Sequence, residues 1–455
     1  MKNSIFGTDG IRGLTGDYPL TPSVVEKIGY AAGSVIARKS KKPKGGDRSA
    51  GVIVIGRDTR GSGGWIEKKL ADGFLKAGLR VFSCGVIPTA AIAAILQRKN
   101  FLGGAVISAS HNPPEFNGIK FFSSIGKKIP DAWESEIEHQ LKLLKKIKSA
   151  QVFKRVEPYE EGKGIFLQLL RDSLPSGFSL KGLRWVVDCA NGSASHIAPK
   201  VLESFGAHVA VLHAAPDGKN INLHSGALHP KALQAAVVKS KAHGGCAFDG
   251  DADRVQFVDE KGQLLDGDVL IGMAAQHLKE EGRLKENAVV ATVMANLGFI
   301  RKVEKLGIRV VSCPVGDRSV LEALESSGAI LGGEQSGHVI FREFLPTGDG
   351  LLTALQILSV LVQKKKKLSH YQKVFPKTPQ VLLNVRVEQK VPVEQLPRVR
   401  KAIQKAERQL GRNGRVFVRY SGTEPLLRVM VEGPSQKVIS KIAEEIAEEA
   451  KSVLA

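Results

Sequence analysis

Gly103-Gly-Ala-Val-Ile-Ser-Ala-Ser110-His111-Asn112-Pro113-Pro114-Glu115-Phe116-Asn117-Gly118-Ile119-Lys120 begins as a short apolar run and breaks off into hydroxyl, imidazole, amide and proline groups. The pattern predicts a buried strand that delivers Ser110 to an exposed loop, the way reactive side chains are usually held. An ordinary Asn-Pro turn after a strand reads the same. What separates the two is whether other stretches supply what a reactive serine needs.

Towards the N-terminus, apolar positions recur at helical spacing over residues 24–36, and Gly51-Val-Ile-Val-Ile-Gly56 reads as a buried strand running into Arg57-Asp58-Thr59-Arg60. A helix over 65–77, a strand over 79–83 and a helix over 89–96 then lead to the Ser110 strand, and this alternation predicts an α/β domain. Phe6-Gly-Thr-Asp9-Gly-Ile-Arg12-Gly13 is dense in glycine and reads as a loop that carries Asp9 and Arg12. On the other side, a basic amphipathic helix is predicted around residues 142–150, followed by a polar stretch and a domain boundary. The alternation restarts with strands at 183–188, 207–213 and 245–248, and again at 288–293, 308–312 and 329–331. Three successive α/β blocks suggest a repeated architecture. Beyond the Lys364–Lys367 run, strands at 381–387, 415–419 and 426–431 alternate with helices in a smaller α+β domain.

The 455 residues are 43% hydrophobic and 24% charged, which excludes fibrous and disordered classes. With 66 Lys and Arg against 45 Asp and Glu, the net charge of +21 favours anionic partners. The basic runs, such as Lys39-Ser40-Lys41-Lys42, lack interleaved aromatics, so they read as solvated surface and not as a specific nucleic-acid site. Cys84, Cys189, Cys246 and Cys313 have no metal-type spacing and suit buried thiols in a reducing compartment. Neither a secretion signal nor a membrane span is evident in the sequence, so a cytoplasmic protein is expected.

Three further stretches carry chemistry. Phe248-Asp249-Gly250-Asp251-Ala252-Asp253-Arg254 sets carboxylates at every second position, which on an extended backbone would share one side and repel unless a cation sat among them. Oxygen ligands select a hard ion such as magnesium. An EF-hand loop is excluded because Arg254 stands where glycine is demanded and strands flank the loop. In Gly332-Gly333-Glu334-Gln335-Ser336-Gly337-His338, glycines at both ends would expose side chains suited to reading hydroxyls. Arg419-Tyr420-Ser421-Gly422-Thr423-Glu424-Pro425, with Arg428 beyond, suits an anion cradle of backbone amides and guanidinium groups. A serine nucleophile, a magnesium site, a hydroxyl-reading loop and a separate phosphate clamp together suit phosphoryl transfer to and from a phosphosugar.

Ser108-Ala-Ser110-His111-Asn112-Pro113, Asp249-Gly-Asp251-Ala-Asp253-Arg254, Gly333-Glu334-Gln-Ser336-Gly-His338 and Arg419-Tyr-Ser421-Gly422-Thr423-Glu-Pro425, in that order, resemble the four signatures of the α-D-phosphohexomutase superfamily. The resemblance implies three related mixed α/β domains and a fourth α+β domain of TATA-box-binding-protein-like topology, arranged as a heart around a central cleft. Residues 1–155, 156–258, 259–370 and 371–455 are the expected domains. Gln335 and Asn117-Gly-Ile-Lys120 are most similar to the branch that interconverts glucosamine 6-phosphate and glucosamine 1-phosphate, through a phosphoserine and a glucosamine 1,6-bisphosphate, on the route to UDP-N-acetylglucosamine.

Ser110 would then carry the phosphoryl group, with one Mg2+ held by a phosphate oxygen on Ser110 and by Asp249, Asp251 and Asp253. Glu334 and Ser336 would hold sugar hydroxyls, and Arg419, Ser421, Gly422, Thr423 and Arg428 the second phosphate. Lys120 and His338 are the proton-transfer candidates, Arg12 an orienter or stabiliser, and His111, Asn112 and Arg254 positioning groups. The sequence departs from relatives at Pro88-Thr89-Ala90, where Pro-Thr-Pro is common. Alternatives are a phosphoglucomutase/phosphomannomutase of broader taste and, remotely, a serine-dependent phosphatase. A monomer or homodimer acting on a phosphosugar, without membrane or specific nucleic-acid partners, is expected.

Overall fold

The computed structural model describes residues 4–40, 51–144, 146–147, 155–421 and 425–454. Two compact units emerge, the first comprising Met1–Met294 with Gly307–Lys373, the second Ala295–Leu306 with Val374–Ala455.

In the first unit the strands β1 (Phe6–Gly7), β2 (Gly10–Leu14), β3 (Val52–Arg57), β4 (Arg80–Val86), β5 (Gly103–Ile107), β6 (Phe116–Ser123) and β7 (Glu157–Pro158) form one sheet in the order β1-β2-β6-β5-β3-β4-β7. A second sheet has the order β12-β11-β10-β8-β9, from β8 (Arg184–Asp188), β9 (His208–Leu212), β10 (Gly244–Phe248), β11 (Val255–Asp259) and β12 (Leu264–Leu265). The third has the order β14-β13-β15-β16, from β13 (Ala288–Thr292), β14 (Arg309–Cys313), β15 (Leu331–Gly333) and β16 (Val339–Phe341).

One pattern underlies all three. A first parallel strand is flanked by the second on one side and the third on the other, and the third turns back into an antiparallel fourth. The turn from third to fourth strand is β5–β6 in the first sheet, β10–β11 in the second and β15–β16 in the third. These turns contain Ser110, Asp249–Arg254 and Glu334–His338 respectively. The chain reverses its direction of travel across each sheet at the first strand, and crevices at such reversals are where α/β sheets bind ligands.

Strands β5, β10 and β13 are buried along their whole length because helices cover the parallel part of each sheet. Helices Pro22–Lys39 and Gly63–Lys76 pack so closely that a Cβ on Gly29 would lie 2.2 Å from the Leu70 carbonyl, and one on Gly73 equally near that of Glu26. The sequence predicted a helix around residues 142–150; instead the helix runs Asp131–Leu143 and stops at Leu144, whose ψ of 87° breaks the helical path. Residues 145 and 148–150 of that expectation lie outside the described residues. No helix among the described residues is long and apolar enough to cross a membrane.

The second unit is a three-stranded antiparallel sheet, β17 (Gln380–Arg386), β19 (Leu426–Glu432) and β18 (Arg415–Tyr420) in that order. Leu427, Val429 and Val431 alternate along the central strand and pack with Ile439, Ile442 and Ile446 of helix Gln436–Leu454. Helix Leu297–Lys305 belongs to this unit and is anchored by Glu432, whose Oε1 accepts from Asn296 Nδ2 at 2.9 Å.

Candidate active site

The Ser110 turn differs from its expectation in one respect. Ser110 is 1% exposed rather than displayed on the surface. Its backbone is left-handed, with φ 51°, which is uncommon for a non-glycine residue. Oγ donates to Asp249 Oδ2 at 2.7 Å and lies 3.2 Å from His111 Nδ1. Burial, together with the Arg254 and Arg12 guanidinium groups, pushes the His111 imidazole down to about 4. Burial there favours the neutral ring.

The acidic stretch is not an extended backbone with carboxylates along one side. Asp249–Arg254 is the tight turn joining β10 and β11, closed by Ala252 N–H donating to the Asp249 carbonyl at 3.1 Å, with Ala252 at φ 58°. Convergence comes from the reversal of the chain, which brings oxygens of Asp249, Asp251 and Asp253 within 4.8 Å of one another, all buried. Burial and the carboxylates of Asp253 and Asp251 hold the Asp249 carboxyl well above its ordinary range. Burial also opposes ionisation of Asp253, but Lys120, His338 and Arg254 outweigh it and hold that group well below.

Lys120, on β6, is 1% exposed and places Nζ 2.9 Å from Asp251 Oδ2, 3.0 Å from Asp9 Oδ2 and 3.2 Å from Asp253 Oδ2. Burial works against its charge, yet the carboxylates of Asp251, Asp9 and Asp253 raise it well above the ordinary lysine value. Thr89 Oγ1 donates to Asp251 Oδ2 at 2.6 Å and its N–H to the Asp251 carbonyl. Asp251 Oδ1 and Asp253 Oδ1 have no hydrogen-bond partner among the described residues. Buried, oxygen-only and incompletely satisfied, the turn fits a hard divalent cation.

In the third turn, His338 is only 2% exposed, against the expectation of an exposed imidazole. Its Nε2 accepts from Gly348 N–H at 3.2 Å, and a Cβ on Gly348 would sit 2.5 Å from the ring. The proton is thereby left on Nδ1, 3.8 Å from Asp253 Oδ2. Burial disfavours the charged ring, but Asp253 more than offsets this and the value is raised. Glu334 Oε1 accepts from Gly316 N–H at 3.0 Å, and Ser336 is half-buried on the same turn.

Arg12 lies on strand β2, opposite Gly118 of β6, and not in a loop. Alternation of that strand turns it towards Asn112, whose Oδ1 accepts from Nη1 at 3.1 Å, and it also pairs with Asp9. Asp9 is shared by Arg12, Lys120 and Lys128, and Lys128 in turn pairs with Asp317. Arg254 N–H donates to Asp249 Oδ1 at 3.2 Å, and its Nε lies 3.9 Å from Asp253 Oδ1. Ser110, His111, Asn112, Arg12, Lys120, Arg254, the three aspartates and His338 are therefore one contiguous polar cluster. Sequence reasoning did not assign Asp9, Thr89, Lys128 or Asp317 a role. The glycine-rich setting of Asp9, the departure from relatives at Pro88-Thr89-Ala90 and the placement of Asp317 before Arg318 were the available signals.

The second unit holds Arg419, Ser421 and Arg428. Arg419 and Arg428 are directly opposed on β18 and β19, so two like charges share one patch of sheet, which favours an anion there. Ser421 N–H donates to the Leu426 carbonyl at 2.8 Å. Gly422 and Thr423 lie outside the described residues.

Domain by domain, the chain matches phosphoglucomutase/phosphomannomutase: α/β/α domain I over residues 3–148, domain II over 172–262, domain III over 266–378 and the C-terminal domain over 382–449. Its fold is similar to that of a phosphoglucomutase/phosphomannomutase family protein from Burkholderia thailandensis, with TM-score 0.80 and 24% identity over 99% of this chain and 97% of that one. It is also similar to Aspergillus fumigatus N-acetylphosphoglucosamine mutase solved with GlcNAc-6P and magnesium, with TM-score 0.69 and 18% identity over 99% of this chain and 96% of that one. The chain belongs to the phosphoglucomutase/phosphomannomutase family of phosphohexomutases. Within it, the chain is 47% identical to the phosphoglucosamine mutase of Carboxydothermus hydrogenoformans, over 97% of this chain and 98% of that protein. It is 45% identical to that of Alkalilimnicola ehrlichii, over 98% and 97% respectively.

Proposed function

We propose that this chain interconverts glucosamine 6-phosphate and glucosamine 1-phosphate by way of a phosphoserine at Ser110 and glucosamine 1,6-bisphosphate, supplying amino sugar for UDP-N-acetylglucosamine. The observation that carries the reading is the contact of Ser110 Oγ with Asp249, inside a turn that gathers three buried carboxylates. Full-length relatedness to phosphoglucosamine mutases supports the choice of sugar.

Asp249, Asp251 and Asp253, with an oxygen of the phosphate on Ser110, would hold one Mg2+. When bound, that ion withdraws charge from the phosphoryl group. In the first half-reaction the sugar C1 hydroxyl attacks phosphorus, loses its proton, and the bond to Ser110 Oγ breaks. The bisphosphate then turns over, Ser110 Oγ attacks the 6-phosphate, and O6 takes a proton as it leaves.

Lys120 and His338 carry these protons. Lys120 is poised as a charged donor by Asp251, Asp9 and Asp253, and His338 is held in one tautomer by Gly348. Arg12 stabilises transferring charge, while His111, Asn112 and Arg254 orient the serine turn and its phosphate. Glu334 and Ser336 read the sugar hydroxyls, and Arg419, Ser421, Gly422, Thr423 and Arg428 take the phosphate that is not reacting. The domains are assigned to residues 1–155, 156–258, 259–370 and 371–455. Four cysteine thiols without a disulfide support a cytoplasmic setting.

The test compares turnover on glucosamine, glucose and mannose phosphates with added 1,6-bisphosphate, alongside mass spectrometry of Ser110. One phosphate on Ser110, preference for the glucosamine substrate and loss of nearly all turnover in Ser110→Ala are expected. Full turnover in Ser110→Ala would overturn the mechanism; preference for glucose or mannose would overturn the sugar.

A further inference from the structure

We infer that Asp58, Arg60 and Asn222 form a positioning unit that locks Ser110 into the single backbone conformation from which its hydroxyl exchanges a phosphoryl group. The inference rests on the reading of Ser110 as the phosphoryl carrier.

A left-handed non-glycine residue is disfavoured and persists only where its surroundings over-determine it. Both backbone poles of Ser110 are gripped. Its N–H donates to Ser108 Oγ at 2.8 Å, and the Ser108 hydroxyl donates to Asp58 Oδ2 at 2.6 Å. Its carbonyl accepts from Arg60 Nη2 at 3.0 Å and from Asn222 Nδ2 at 2.9 Å. Asp58 therefore holds the amide end through Ser108 while its ion-pair partner holds the carbonyl end.

The Asp58–Arg60 pair is itself rigid. Arg60 Nε meets Asp58 Oδ2 at 2.9 Å, Arg60 N–H meets Oδ1 at 3.0 Å, and both side chains are 0% exposed. From that base the guanidinium fans out over the rest of the serine turn. It donates to the carbonyls of Asn112 at 2.8 Å, Phe116 at 2.9 Å and Pro113. Five donors in a planar fork suit this task, which the point charge of a lysine could not perform. Asn222, with φ 59°, reaches the same two carbonyls of Ser110 and Asn112 from the chain that follows β9.

Topology explains why these residues serve. Asp58 and Arg60 follow β3, the strand beside β5, so they emerge at the same sheet end as Ser110. None of the three touches Ser110 Oγ, so they act through the backbone. If Ser110 φ relaxed to a negative value, its side chain would swing away from Asp249, and misplacement of a reacting atom by about 1 Å can cost roughly 10²-fold in rate.

The test uses the full-length enzyme with Asn222→Gly, Ser108→Ala and Arg60→Lys. Asn222→Gly retains access to positive φ and so removes only the amide contacts. In each variant that melts cooperatively, kcat is expected to fall about 10–100-fold with KM within about threefold, as for lost orientation without lost binding. Single-turnover phosphoryl transfer from glucosamine 1,6-bisphosphate to Ser110 should fall in parallel. If Arg60→Lys does not fold, the other two variants decide. Wild-type kcat in both Asn222→Gly and Ser108→Ala, or a rise in KM at constant kcat, overturns the proposal. Active Ser110→Ala would instead overturn the carrier reading, whereas inactive Ser110→Ala beside fully active positioning variants overturns the positioning unit alone.

Discussion

Two buried clusters of charge stand side by side in the first unit and are finished to different degrees. Around Asp58 every carboxylate oxygen is partnered, Oδ1 by the Arg60 N–H and Oδ2 by Arg60 Nε and the Ser108 hydroxyl. Around Asp249, Asp251 and Asp253 a lysine has been recruited, yet Asp251 Oδ1 and Asp253 Oδ1 still lack hydrogen-bond partners among the described residues. An unsatisfied buried oxygen is costly, and where two of them stand among three converging carboxylates the arrangement fits a cation that the chain does not itself supply.

That contrast can be broken experimentally. The largest effect is expected for Asp251→Asn, which should lower magnesium-dependent turnover by about 10³-fold, the scale of losing one preorganised electrostatic group. Magnesium at about 100 times its Kd should raise the unfolding free energy of the parent by about 2.7 kcal/mol. A matching rise in Asp251→Asn, measured by thermal melts with and without the ion, would show that the open oxygens are not the ligands.

Asp58→Asn belongs to the closed cluster and should destabilise the fold by about 3–5 kcal/mol whether or not magnesium is present, because it strands the buried Arg60 charge. Burial pushes the Asp58 carboxyl up while Arg60 and Ser108 pull it down, so the pair gives little net stability and is retained for what it holds. Asp249→Asn should act in the opposite direction. Removing a carboxylate that burial and its neighbours disfavour should raise the melting temperature of the metal-free protein. Equal signs for the two Asp→Asn changes in urea or thermal melts would erase the distinction.

Asp349 is an intermediate case, the N-cap of helix Gly350–Lys364, with Oδ1 accepting from Leu351 N–H at 2.8 Å and Oδ2 unpartnered among the described residues. Burial pushes its carboxyl up to about 7, against backbone donors that pull the other way. A folded value above the unfolded one means that the native state binds the proton more tightly. Its contribution is therefore fully present below the unfolded value and is lost as pH rises through about 7. Asp349→Asn keeps the cap and should flatten stability between pH 4 and 8 by roughly 2–4 kcal/mol, read from paired urea melts. Parallel curves for parent and variant would refute the shift. At the small end lies the solvent-facing Arg80–Glu157 pair, where Arg80→Gln should change stability by less than about 1 kcal/mol.

The sequence was most informative where a local rule acts. Strand-helix alternation located β3, β4, β5 and the repeats after them, because runs such as Val52–Arg57 are apolar on both faces. The chemistry-bearing residue types in the Ser110, Asp249–Arg254 and Glu334–His338 turns were legible because few stretches concentrate such groups. Conformation within those turns was not. Positive φ at Ser110 goes with contacts from the distant residues Arg60 and Asn222, and no propensity announces it. For the same reason Asp9, Thr89 and Gly348 carried no assigned role, since Asp9 meets Lys120 and Thr89 meets Asp251 from more than a hundred residues away, and Gly348 matters through its contact with the His338 ring. The glycine-rich opening looked like a loop because β2 is fixed by its pairing with β1 and with the distant β6 and not by its own residue types.

The recurrence of one strand order in three sheets, each offering the same reversal as its working end, amounts to a division of labour among copies. On the proposed function the first copy carries the nucleophile, the second the metal-binding carboxylates and the third the groups that read the sugar. Tasks housed in separate copies can drift separately. Residues 335 and 336 could be recast to favour another hexose while the exchange of phosphate between Ser110 and a bisphosphate stayed intact, so a new sugar preference need not reinvent the transfer itself.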